Sequence, residues 1–232
     1  MRMSRKLGTV KSIKLPSLYE LFSDAIVVMS SGASSATEQV YSGVSVGDTS
    51  SPIWLIVTIG FNIDIVKVTN NTITSLKSKA GTGSYRLIKL NTDSGSSTSN
   101  TILKIASSIN SENIYGYCLV GLRFSSYAER VVDQVFKNLT IDIAASRYDS
   151  GTGNIYVNES DLSSDPDDVY LQCGISTSIG YLSATRGGSP STAIMTSGSR
   201  AFWRLNNSRY YITYSGSTNA SLRIGGIYRL TM

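Results

Sequence analysis

Apolar residues along this chain recur with a period of two far more often than with a period of 3.6. Leu139, Ile141 and Ile143 alternate with Thr140 and Asp142, and Val169, Leu171 and Cys173 alternate with Tyr170 and Gln172. Successive strand side chains point to opposite faces, so each run predicts a half-buried strand. The segment from Ile53 to Val68 opens with Ile-Trp-Leu-Ile-Val-Thr-Ile and continues in alternation at Phe61, Ile63 and Ile65, predicting two strands or one long bent strand. Shorter strands are predicted at 85–90, 101–109, 114–124, 154–157, 201–205, 209–214 and 224–231, the last two joined by a hairpin connection over Ser215 to Asn219. Residues 30–51, 69–84, 93–100 and 174–199 carry loop and turn signals, and 17–29 suit a short helix or an extended segment.

One convincing helix is predicted, over 126–135. Tyr127, Val131 and Val135 recur at intervals of four, Ser125 or Ser126 is placed to cap the N-terminus, and Glu129 falls near the third position. No internal repeat is visible. Short strands parted by turns predict an all-β sandwich or jelly roll. Composition agrees: 14 tyrosines and 20 glycines stand against 4 prolines, and charged residues are 16% of the chain, below the usual ~25%.

Charge changes the picture by its distribution. The net charge is +5, but Arg2, Arg5, Lys6, Lys11 and Lys14 fall in the first fourteen residues with no acid among them. Glu159, Asp161, Asp165, Asp167 and Asp168 crowd one loop, and no acid follows, while six arginines do. A basic arm without aromatics contacts phosphates and reads no sequence, so nucleic acid is its natural partner; the alternative is a solvated tail. Spaced aspartates suit a hard cation such as Ca²⁺, which wants several oxygens at once; the alternative is a solvated acidic turn.

Candidate chemistry is thin. The chain has no histidine, so Ser-His-Asp and Cys-His arrangements are impossible, and no phosphate-cradling glycine motif occurs. A carboxylate pair of the glycosidase kind is the one catalytic option, and an enzyme is not expected. Cys118 and Cys173 lie in apolar surroundings without zinc spacing and read as buried thiols, the alternative being a disulfide. Neither a signal peptide nor a membrane span is expected, since the apolar stretch Leu21 to Met29 is short and broken by Asp24. The pairs Phe202-Trp203 and Tyr210-Tyr211 offer stacking surfaces for bases or sugars, or one member of each belongs to a core.

From residue 124 onward the chain resembles the jelly-roll coat proteins of small icosahedral positive-strand RNA viruses of the tombusvirus, sobemovirus and luteovirus groups. Three features carry the resemblance: the helix running from Phe124 into Leu139-Thr-Ile-Asp-Ile143; the strand Gly153-Asn-Ile-Tyr-Val157 followed by the Asp161 to Pro166 loop; and Tyr210-Tyr-Ile-Thr-Tyr-Ser-Gly-Ser217 with Gly226-Ile-Tyr-Arg-Leu-Thr-Met232 as a closing hairpin. It implies a single jelly-roll shell domain over 51–232, with one short helix, behind a basic arm and linker over 1–50. Many copies would form an icosahedral shell in the virion, with Arg2, Arg5, Lys6, Lys11 and Lys14 on the genome. It also implies Ca²⁺ at subunit contacts, with Asp161, Asp165 and Asp168 as ligands. The alternative is another virion component or a lectin-like module, such as a tail fibre, turret or penton β domain, binding glycans or other virion proteins.

Overall fold

The run from Ile53 to Ile59 has no polar alternation because its strand is covered on both sides: Ile53, Leu55 and Val57 are buried on one face and Trp54 and Ile56 on the other. In the computed structural model the described residues are 14–33, 40–45, 49–59, 62–70, 72–79, 88–94, 101–107, 117–145, 154–157, 165, 167–175, 182–186, 189–190, 195–197, 200–203, 210–214 and 223–232. They hold two helices, α1 (Leu18–Asp24) and α2 (Glu129–Asn138). Between the helices run β1 (Ala25–Ala33), β2 (Val40–Ser45), β3 (Ile53–Ile59), β4 (Asn62–Thr69), β5 (Thr72–Lys79), β6 (Ile88–Ser94), β7 (Thr101–Ser107) and β8 (Tyr117–Phe124). After α2 come β9 (Thr140–Ala145), β10 (Asn154–Val157), β11 (Val169–Ile175), β12 (Leu182–Arg186), β13 (Ser189–Pro190), β14 (Met195–Ser197), β15 (Arg200–Trp203), β16 (Tyr210–Tyr214) and β17 (Arg223–Thr231). The protein is all-β in class, its strands paired antiparallel. No helix among the described residues is long and apolar enough to cross a membrane.

Strand order divides the chain at α2. The sheets β1-β8-β3-β4-β5 and β2-β7-β6 use strands before α2 alone, and β14-β15-β11-β17-β9 and β10-β16-β12-β13 use strands after it alone. Each half begins with a helix, and its first strand pairs with its last: β1 with β8, β9 with β17. The second strand pairs with the next-to-last, β2 with β7 and β10 with β16. The third lies beside the last, β3 next to β8 and β11 next to β17.

The two halves meet in one core, built from matching positions. Helix α1 buries Leu18, Leu21 and Phe22, and α2 buries Val132, Val135 and Phe136 at the same spacing. The rings of Phe22 and Phe136 meet edge to face at 6.2 Å, and Phe124 lies 6.0 Å from Phe136 and 5.3 Å from Trp54. In register, Val27 faces Leu122 as Ile141 faces Leu230, and Trp54 faces Leu122 as Val169 faces Leu230. All of these positions belong to the same core or pack against it. On β8, Gly121 is required by close approach: a Cβ there would lie 2.5 Å from Met29 Cγ.

Several expectations change. The expected arm and linker over 1–50 contains α1 and β1, whose Leu18, Leu21 and Phe22 are fully buried, so the folded body starts before α1. Strands of the expected single roll over 51–232 fall into separate sets before and after α2; the two halves share these three pairings, which residue identity does not display, and then differ, since β3 lies next to β4 where β11 lies next to β15. The turn signals at 69–84 and 174–199 flank β5 and the strands β12 to β14, and β5 escapes the apolar pattern because Leu76 is its one buried residue. The turn between β4 and β5 is made by Asn70 at φ 48°, in the left-handed region that asparagine tolerates.

Ser125 and Ser126 do not cap α2. Ala128 occupies that position without a side-chain bond, and both serines donate to the carboxylate of Asp24 at the end of α1. The two backbone N–H groups reach Asp24 Oδ2 at 3.0 Å each and so tie the end of β8 to the start of β1. Burial pushes the Asp24 carboxyl up, but the bonds from Ser126 and Ser125 outweigh it and hold it below the usual range. A depressed carboxyl stabilises the fold above its unfolded pKa of ~3.9, and that contribution is lost as pH falls through the folded value. Asp24→Asn is therefore expected to cost about 1 kcal/mol at pH 7, modest because the group is only half-buried. In urea titrations the gap from the parent should close below about pH 4.

Candidate functional site

The residues leading into α1 are fixed by local chemistry. Ser17 caps the helix: its Oγ accepts from Glu20 N at 3.2 Å, and Glu20 Oε2 accepts from Ser17 N at 2.9 Å, a reciprocal capping box. Pro16 is buried and Leu15 packs against the core, and Lys14 is exposed at the surface. Hydrogen bonds from the Ser17 backbone and hydroxyl, aided by nearby Lys14, hold the Glu20 carboxyl below the usual range despite a small opposing effect of desolvation.

The acidic loop arrives at the same place. Asp165 Oδ1 accepts from Asp167 N at 2.9 Å, and Asp165 O accepts from Asp168 N at 3.3 Å, an aspartate turn that leads into β11. Asp165 and Asp167 stay exposed, whereas Asp168 is buried with Oδ2 3.5 Å from Arg229 Nε of β17. That separation is an ion pair, but its geometry leaves Arg229 Nε without a hydrogen bond. Between the loop and α1 lies a groove of about 700 Å³, floored by Leu15, Leu18 and Met232 and edged by Lys14, Tyr19, Glu20, Asp165, Asp167 and Asp168.

Three residues singled out from sequence, Lys14, Asp165 and Asp168, thus share one groove. Arg2, Arg5, Lys6, Lys11 and Asp161 lie outside the described residues. Sequence reasoning missed Glu20, although Ser17-x-x-Glu20 is itself a capping signature, and it missed Arg229 as the partner of Asp168. Among the described residues no group of three acidic or thiol side chains converges as a metal cluster. Of the three residues expected to hold Ca²⁺, Asp168 faces the Arg229 guanidinium, Asp165 holds the turn with one oxygen, and Asp161 lies outside the described residues.

The aromatic pairs lie in register across neighbouring strands. Trp203 stands opposite Tyr170, and Tyr211 opposite Tyr156. Tyr170, expected on the solvent side of its strand, is fully buried.

Comparison with protein-family models, with curated proteins and with solved structures found no match.

Proposed function

We propose that this chain is a coat subunit of a virus particle, with a jelly roll after α2 and a related β-rich half before it, that self-associates into a shell and holds nucleic acid through the basic arm. The observation that carries this reading is the strand order. Pairing first with last and second with next-to-last is what a long antiparallel hairpin produces when it is wound into two facing sheets. After α2 the order β9-β17-β11-β15 beside β10-β16-β12-β13 follows that winding throughout, with β14 added at one edge. Jelly rolls serve both capsids and lectins, so the fold alone does not choose between them.

Two further features favour a shell. Strand β1 is at the edge of its sheet, carries no charged residue, and leaves Ile26 55% and Val28 39% exposed. Monomeric proteins usually blunt such an edge with charge or proline, so an undefended one suits pairing with a neighbouring subunit. The arm supplies the second feature, since Lys14 presents it at the surface of the folded body.

Electron microscopy of the purified protein in low and high salt, with the 260/280 nm absorbance ratio, tests the proposal. Closed shells of uniform diameter carrying nucleic acid are expected. Small discrete oligomers with protein-only absorbance would sink it and favour a fibre, turret or lectin module. Neutralising Arg2, Arg5, Lys6, Lys11 and Lys14 together should abolish packaging. With five cations on single-stranded nucleic acid, the log-log salt slope of the parent should be about −3.5, and the neutralised protein should show a slope near zero.

A further inference from the structure

We infer that the groove between α1 and the Asp165–Asp168 turn is a docking site for the chain's own basic arm, which occupies it until nucleic acid draws the arm away. The inference rests on the arm's role in the proposed function and adds a regulator to it.

The argument begins with charge complementarity. The groove is edged by four carboxylates, Glu20, Asp165, Asp167 and Asp168, against one ammonium group, Lys14. Asp168 is paired with Arg229, and Glu20, Asp165 and Asp167 are exposed. Residues 1–13 carry Arg2, Arg5, Lys6 and Lys11 and no acid. Tethering strengthens the case. Lys14 is itself a groove residue, so Lys11 lies within about 10 Å of it even when the chain is fully extended. A short tether turns weak exposed ion pairs into an intramolecular association at an effective concentration of roughly millimolar or more. The floor fits an arm as well, because Leu15 and Met232 offer apolar surface to the stems of lysine and arginine side chains. Polyanions with several phosphates compete with two or three carboxylates, so the groove sets a threshold for nucleic-acid capture without blocking it.

The test uses the full-length chain and Asp165→Asn/Asp167→Asn. Asparagine keeps an oxygen to accept from residue 167, so the turn is preserved while the charge is removed. The first readout needs no nucleic acid: the rate at which trypsin cuts after Lys6 and Lys11 at low salt, followed by mass spectrometry. Each exposed pair is worth up to ~1 kcal/mol, so the arm of the variant should be cut about three- to tenfold faster. The gap should vanish near ~0.5 M NaCl, where exposed charges are screened. Lys11→Glu should likewise speed cutting after Lys6. Equal rates for parent and Asp165→Asn/Asp167→Asn at low salt would overturn the inference. The second readout is fluorescence anisotropy with single-stranded RNA. The variant should bind about threefold or more tightly, and the same substitutions should change nothing when the arm cations are neutralised. An equal gain with the arm neutralised would reduce the groove to general repulsion and overturn the inference. Protease protection in a protein that binds no RNA would instead leave arm docking standing and remove the coat-protein reading.

Discussion

Phe136→Ala is expected to lower stability by about 4 kcal/mol, the cost of removing a fully buried aromatic ring and leaving a cavity. For a chain of this size that is a fall of about 8–16 °C in Tm. The site is special because Phe136 touches both Phe22 of α1 and Phe124 of β8, so the cavity opens between the halves and not inside one of them. Parent and variant should both unfold in a single calorimetric peak. Two peaks in the parent would show that the halves melt separately, contrary to one core containing Leu18, Leu21 and Phe22 together with Val169, Leu171 and Leu230. A Phe136→Leu variant retains most of the apolar volume and should lose less than half as much.

Asp133→Ala is expected to cost about 2–3 kcal/mol, for an electrostatic reason. One oxygen of Asp133 accepts from Trp54 Nε1 at 2.9 Å, and the other accepts from Lys67 Nζ, which also reaches Glu129 Oε1 at 2.7 Å. Lys67 and Asp133 are only 11% and 15% exposed, so deleting the carboxylate leaves an ammonium and an indole N–H short of partners. Adding Lys67→Met to Asp133→Ala should recover part of the loss, which a purely steric role for Asp133 would not allow. Burial pulls the Lys67 pKa down, but Asp133 and Glu129 outweigh it and raise it above the ordinary value. A raised lysine stabilises the fold fully below its unfolded pKa of ~10.4 and loses that contribution as pH climbs through the folded value. The gap between parent and Asp133→Ala should therefore hold from pH 7 to about 10 and shrink above it, with tryptophan fluorescence following the change at Trp54.

Where one strand face meets the core and the other meets solvent, sequence was enough. Leu139, Ile141 and Ile143 turn inward, while Thr140 and Asp142 stay exposed. Sequence failed where a residue's partner is remote. The hydroxyls of Ser125 and Ser126 look like helix caps, yet they serve Asp24 about a hundred positions away. Strand β5 is polar because only Leu76 reaches the core. The pairings that the halves share were hidden because equivalent positions keep burial and register while changing identity, as in Leu18 and Val132, or Trp54 and Val169; Phe22 and Phe136, and Leu122 and Leu230, are exceptions. At the candidate site, the charges of Lys14, Asp165 and Asp168 were plain in the sequence, but their meeting in one groove depends on α1 lying beside the loop that enters β11.

The core between the halves has the make-up of an obligate subunit interface, aromatic and aliphatic throughout, yet a covalent link runs through it at α2. Separate copies joined by such a surface would part on dilution, each at the mercy of its own concentration. Here the stoichiometry is written into the gene product: one half always finds one other, at any dilution, and never finds two.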